Sequence, residues 1–161
     1  MDEPRRIPPA AWITAGVVLV AVVGLLGASY ASMRKHADAE MCGVNLRSIY
    51  IQMRSGEPVT SPKWAPAGTG RAFLASYPEW PTHQDRPLDL NCPVKGRSAE
   101  IDYRGPARPL HLMERDEPIV ADRPGNHGPG NGGNVLLKSG ALQTCTERDP
   151  LWAQAARSTS D

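Results

Sequence analysis

The 161-residue chain is poor in several things at once: it has 3 cysteines, only 9 aromatic residues (4 Trp, 4 Tyr, 1 Phe), and almost no net charge, with 18 Lys+Arg against 17 Asp+Glu. The balance of charge excludes nucleic acid as a partner, because such binding rests on a basic surface that neutralises many phosphates. No Cys-x-x-Cys and no close Cys/His pair occurs among Cys42, Cys92 and Cys145, so local spacing supplies no zinc motif. Ser139 lacks a Gly-x-Ser-x-Gly context, and Leu137 rather than glycine precedes Lys138-Ser139, which defeats a phosphate-cradle reading. The histidines, His36, His83, His111 and His127, have no spacing that puts two on one face. These absences leave no local sign of an enzyme: no catalytic residue and no cofactor is expected.

Charge is also missing locally. From Ile7 to Met33 there is no charged residue, and Ala10 to Ala31 is nearly continuous Ala, Val, Leu, Ile and Gly. As a helix these 22 residues span roughly 33 Å at about 1.5 Å per residue, which matches a hydrocarbon core of about 30 Å. Trp12 and Tyr30 suit the two interfaces. The expected plan is a short cytoplasmic tail over 1–9 and a transmembrane helix over 10–31, with the lipid bilayer as a partner. The competing reading is a cleaved signal peptide, with Arg5 and Arg6 as its charged start and a cut after Ser29-Tyr30-Ala31. The uncharged block exceeds the usual apolar stretch of roughly 7–15 residues, which favours the retained anchor. Arg5 and Arg6 are balanced by Arg34 and Lys35, so the orientation rests on the signal-like order: N-terminus inside, C-terminal domain outside.

Beyond Met33 the balance persists, with 16 basic and 15 acidic residues. Cys42, Leu46, Ile49 and Met53 recur at four, three and four, one apolar stripe of an amphipathic helix over 32–54. No proline stands between Ala10 and Glu57, so this helix continues the anchor, and Ser55-Gly56-Glu57-Pro58 ends it. A proline-rich extracytoplasmic domain follows over 55–146, in which Phe73 to Tyr77 forms a short helix or turn and Trp64, Tyr77 and Trp80 cap a small core. Strands are expected at Ile119–Ala121, Asn134–Leu137 and Ala141–Thr144, the last two joined by a Lys138-Ser139-Gly140 turn. Glu147 to Asp161 reads as a polar tail in which Leu151 and Trp152 dock.

Two sets of residues carry candidate chemistry. His127, with Asp122 and Asn126 nearby, offers mixed nitrogen and oxygen ligands to a metal; the plainer reading has the histidine bracing its glycine-rich loop, Pro124 to Gly133, as a mobile connection. Cys42 and Cys92 are the first choice for one disulfide in an exported domain, against three buried reduced cysteines.

The order of the pieces then resembles a family. The membrane helix runs into Cys42-Gly43-Val44-Asn45-Leu46-Arg47-Ser48-Ile49, followed by Cys92-Pro93, Asp102-Tyr103, Asp122-Arg123-Pro124-Gly125-Asn126-His127 and Gly133-Asn134-Val135-Leu136-Leu137-Lys138-Ser139-Gly140. This is similar to bacterial type IV pilin-like proteins of the type II secretion pseudopilin class, in the group that ends in a His, nine residues, then Asp-Gly. The shared positions are Cys42, Asn45, Leu46, Arg47, Cys92, Pro93, Asn126, His127, Asn134 and Gly140. The resemblance implies an α+β pilin-like fold, in which the long transmembrane helix continues as an amphipathic helix packed on a small antiparallel sheet. It also implies a structural or interaction subunit at the bacterial inner membrane, its domain periplasmic and its partners other membrane or pilin-like subunits. The chain departs from the pattern twice. Pro9 to Thr14 carries neither a prepilin peptidase junction nor a glutamate, and eleven residues separate His127 from Ser139-Gly140. The alternative function is a secreted or anchored ligand- or metal-binding module built on the loop around His127.

Overall fold

Helix α1 occupies Pro9–Arg54 in the computed structural model, which describes residues 9–54, 68–76, 88–96 and 100–161. Trp64, Tyr77, Trp80 and the Ser55-Gly56-Glu57-Pro58 stop lie outside the described residues. The chain divides into two compact units, 1–37 and 38–161. In the first, every side chain described from Trp12 to Ala37 is exposed, including nine Val, Leu and Ile residues. An aliphatic surface of that extent is costly in water and at home in hydrocarbon. The helix is long and apolar enough to cross a bilayer.

The second unit is α+β. Its elements are the C-terminal part of α1, α2 (Gly70–Ala75), β1 (Tyr103–Pro106), a 3₁₀ turn at Leu110–Leu112, β2 (Pro118–Asp122), β3 (Gly133–Leu137), β4 (Leu142–Cys145), α3 (Pro150–Ser158) and β5 (Thr159–Ser160). The strands form one open antiparallel sheet in the order β4-β3-β2-β1-β5. All of β2 and β3 is buried, because helices cover both faces. On one face Leu46, Ile49 and Met53 of α1 pack with Phe73, Leu74, Tyr103, Ile119, Val120 and Leu136. On the other, Trp152 and Ala155 of α3 pack with Ala121, Val135 and Leu137. The stripe read from the sequence is therefore the stripe that is buried.

One irregularity sets the site. Pro118 pairs with Leu137 but Val120 pairs with Leu136, so two residues of β2 are spent against one of β3. Such a bulge shifts the alternation of faces by one. Ile119 and Val120 both reach the α1 side, Ala121 turns to α3, and Asp122 returns to the α1 side beside Tyr103 of β1, its register partner.

Residues 147–161, expected as a polar tail, fold as α3 and the edge strand β5. Pro150 opens the helix behind Asp149, whose carboxylate takes the Thr146 N–H at 2.6 Å. Leu151 and Trp152 do dock, and the Arg104 guanidinium lies 5.8 Å above the Trp152 ring.

Candidate functional site

Four side chains from four parts of the chain converge on the α1 face of the sheet. Cys42 comes from α1, Cys92 from the 88–96 segment, Asp122 from the end of β2 and His127 from the glycine-rich loop. One ligand atom from each lies within 4.8 Å of the other three. His127 Nε2 stands 3.0 Å from Asp122 Oδ2 and 3.7 Å from Cys92 Sγ. The two cysteines and the aspartate are wholly buried, and the His127 side chain is 8% exposed. Cys42, Cys92 and Cys145 are free thiols, and Cys145 lies in the separate cluster under α3.

Each member is held by its own element. Cys92 donates its backbone N–H to the buried Asp102 carboxylate at 3.1 Å, and Lys95 N–H closes a turn on the Cys92 carbonyl at 3.1 Å. Asp122 Oδ2 accepts the backbone N–H of Asn134 at 2.7 Å, whereas Oδ1 is buried without a hydrogen-bond partner among the described residues. The glycine-rich loop is not a loose connection but a series of turns, closed by Asn126 N–H on Arg123 O, Gly128 N–H on Gly125 O and Asn131 N–H on Gly128 O. Asn126, expected as a third ligand, engages the backbone through its amide nitrogen, which donates to the Asp102 carbonyl at 2.7 Å and anchors the loop.

The other residues of the family-like pattern surround the cluster. Asn45 donates to the Asn91 carbonyl and to Tyr103 Oη. Asn134 donates to the Ala39 carbonyl and accepts from Thr144. Leu46 is core, Arg47 is exposed, Pro93 sits in the Cys92 turn, and Gly140 lies in the β3–β4 turn whose Ser139 carbonyl accepts Tyr50 Oη.

The electrostatics follow from these contacts. Hydrogen bonds to the Asp122 carboxylate and to Cys92 raise His127 to about 10. The Cys92 thiol is brought down to about 5, first by the hydrogen bond from Cys42 and then, against desolvation, by that from His127. Cys42, whose thiol donates to Cys92 and is buried, is pushed well above the thiol range. Both contacts of His127 use Nε2, so the imidazole does not bridge a nucleophile and a carboxylate through its two nitrogens, as a thiol–imidazole–carboxylate relay needs. Two sulfurs, one imidazole nitrogen and a carboxylate are instead four donors turned toward one point.

A pH profile follows for the protein kept in chelator and reductant. Between pH 5 and 6.5 the unfolded chain holds one proton more at Cys92 than the folded chain, so stability rises with pH. From 6.5 to 9 the extra proton on folded His127 cancels that on unfolded Cys92, and the profile is flat. Above 9 the folded chain holds the excess and stability falls, more steeply because Cys42 and Tyr103 are also kept protonated. Thermal unfolding midpoints should show this plateau, and Cys92→Ser should make the acid limb shallower. A midpoint still climbing from pH 7 to about 9 would contradict the assignment.

In comparisons with family models, with curated proteins and with solved structures, nothing matches the chain, so the site is read from its own geometry.

Proposed function

We propose that this protein is a non-enzymatic, single-pass membrane subunit of the bacterial cell envelope, pilin-like in plan, which presents its α+β unit on the periplasmic side of the inner membrane. The observation that carries this reading is α1 itself: one helix whose residues 12–37 expose only side chains suited to lipid or its interface, and whose Cys42, Leu46, Ile49 and Met53 belong to a folded core. That division matches a helix serving two solvents, lipid first and protein interior second. Close approach of neighbouring membrane helices is supported by Gly16, Gly24 and Gly27, where an added Cβ would meet nothing within 4 Å. Partners are then other membrane or pilin-like subunits.

The test is the mature N-terminus and the fraction in which it is found. The expected result is a chain retained in membranes through alkaline carbonate extraction, its intact mass including residues 10–31, with external protease reaching the C-terminal unit. A soluble chain beginning at Ser32 would overturn the anchor. An N-methylated terminus within Pro9 to Thr14 would show prepilin-type processing and assign a true pilin pathway.

A further inference from the structure

We propose that Cys42, Cys92, Asp122 and His127 form a closed four-ligand site for Zn²⁺, a staple that ties the C-terminal part of α1 to the sheet and to the glycine-rich loop. Tetrahedral zinc with bonds of about 2.3 Å to sulfur and about 2.0 Å to nitrogen and oxygen separates its ligands by about 3.8 Å (S to S), about 3.5 Å (N to S) and about 3.3 Å (N to O). Here His127 Nε2 lies 3.7 Å from Cys92 Sγ and 3.0 Å from Asp122 Oδ2, and all four ligand atoms fall within 4.8 Å of one another. The N to S and N to O edges at His127 thus match a tetrahedron to within a few tenths of an ångström, the other four edges are no longer than 4.8 Å, and a small outward shift of the carboxylate completes the N to O edge.

An independent observation points to a cation. Asp122 is fully buried, yet its Oδ1 has no hydrogen-bond partner among the described residues. A buried carboxylate with one oxygen unpartnered is costly, and a cation held at its other oxygen, Oδ2, offsets the charge of the whole group. The donor set selects the ion. Thiolates exclude Mg²⁺ and Ca²⁺, which take oxygen, while two sulfurs with imidazole and carboxylate in a tetrahedral set suit Zn²⁺. Four protein ligands leave no open position, so the site is structural.

The surroundings orient the ligands as a metal site requires. Asn134 N–H holds Asp122, the Asp102 carboxylate holds the Cys92 backbone, and Asn126 holds the loop that carries His127. Coordination takes both cysteines as thiolates and Nε2 as a lone-pair donor, and the displaced protons leave to solvent. A Cys42–Cys92 disulfide, the pairing expected from sequence, uses the same two sulfurs and excludes the ion.

The experiment uses the full chain in detergent, reduced and stripped with chelator, then titrated with Co²⁺ and back-titrated with Zn²⁺. The expected result is one Co²⁺ per chain with a thiolate-to-cobalt charge-transfer band and the intense visible bands of a tetrahedral site, displaced by one equivalent of Zn²⁺. Cys42→Ser and His127→Gln, each confirmed as folded by far-UV circular dichroism, should weaken Zn²⁺ binding by at least about tenfold. Cys145→Ser, which changes only the thiol outside the cluster, should leave it unchanged. The proposal is overturned if the reduced, folded chain takes up no Co²⁺, if its cobalt spectrum is that of six oxygen ligands, or if folded Cys42→Ser binds as the parent does.

Discussion

Asp122→Ala is expected to lower the stability of the metal-free folded unit by about 3–5 kcal/mol, the usual range for breaking a buried ion pair from one side. The carboxylate is wholly buried, accepts the Asn134 N–H at 2.7 Å and pairs with His127 at 3.0 Å. Alanine leaves the buried imidazolium with only the more distant Cys92 sulfur, 3.7 Å away, and a strand N–H without its acceptor. The loss therefore exceeds what the same carboxylate would contribute on the surface. Asp122→Ala combined with His127→Leu should recover part of it, because the second change removes the stranded charge. Urea unfolding in chelator measures both. A single-variant loss below about 1 kcal/mol, the ordinary value for an arbitrary substitution, would mean that the pair is not formed as described.

Gly133→Ala is the second large effect, and it acts through packing alone. A Cβ at 133 would stand 2.6 Å from the Asp122 Cβ and 2.9 Å from its Oδ2. The first of these neighbours is fixed to the backbone of the adjacent strand and cannot swing away. The strands must part or Asp122 must tilt, and overpacking of that kind costs about 1–3 kcal/mol. Position 133 also begins β3 opposite Cys145 of β4, so the strain enters at the start of that strand. The consequence reaches the cluster, since moving Asp122 spoils the ligand geometry. Gly133→Ala should thus lower both the unfolding midpoint and the affinity for Zn²⁺. Gly125→Ala, where an added Cβ would meet nothing within 4 Å but the φ of +85° disfavours a side chain, should cost about 1 kcal/mol and leave the strands in register. Equal effects at 133 and 125 would remove the special role of the close approach.

How legible all this is in the sequence depends on how local each feature is. The buried stripe Cys42, Leu46, Ile49, Met53 is visible because helical periodicity is a property of one segment, and β2, β3 and β4 are visible as short apolar runs around a turn. Strand β1 is hidden. Tyr103-Arg104-Gly105-Pro106 has no apolar alternation, and Arg104 is buried because Trp152, far along the chain, receives it. Helix α3 is hidden in the same way, for only Leu151, Trp152 and Ala155 of its short stretch pack on the sheet, although Asp149-Pro150 is a legible start signal. The cluster is the clearest case. Asp122 and His127 are nameable as metal candidates, and Cys42 and Cys92 as neighbours, yet nothing local unites the two pairs. Their union depends on the bulge that turns Asp122 toward α1, and a bulge shows only in the strand register.

The central claim is that thiolates from α1 and from the 88–96 segment meet His127 and Asp122 around one ion. Zinc K-edge absorption on the full chain, reconstituted with one equivalent of Zn²⁺ under reductant, tests it directly. The account predicts two sulfur scatterers at about 2.3 Å and two nitrogen or oxygen scatterers at about 2.0 Å. A first shell of nitrogen and oxygen alone would contradict it.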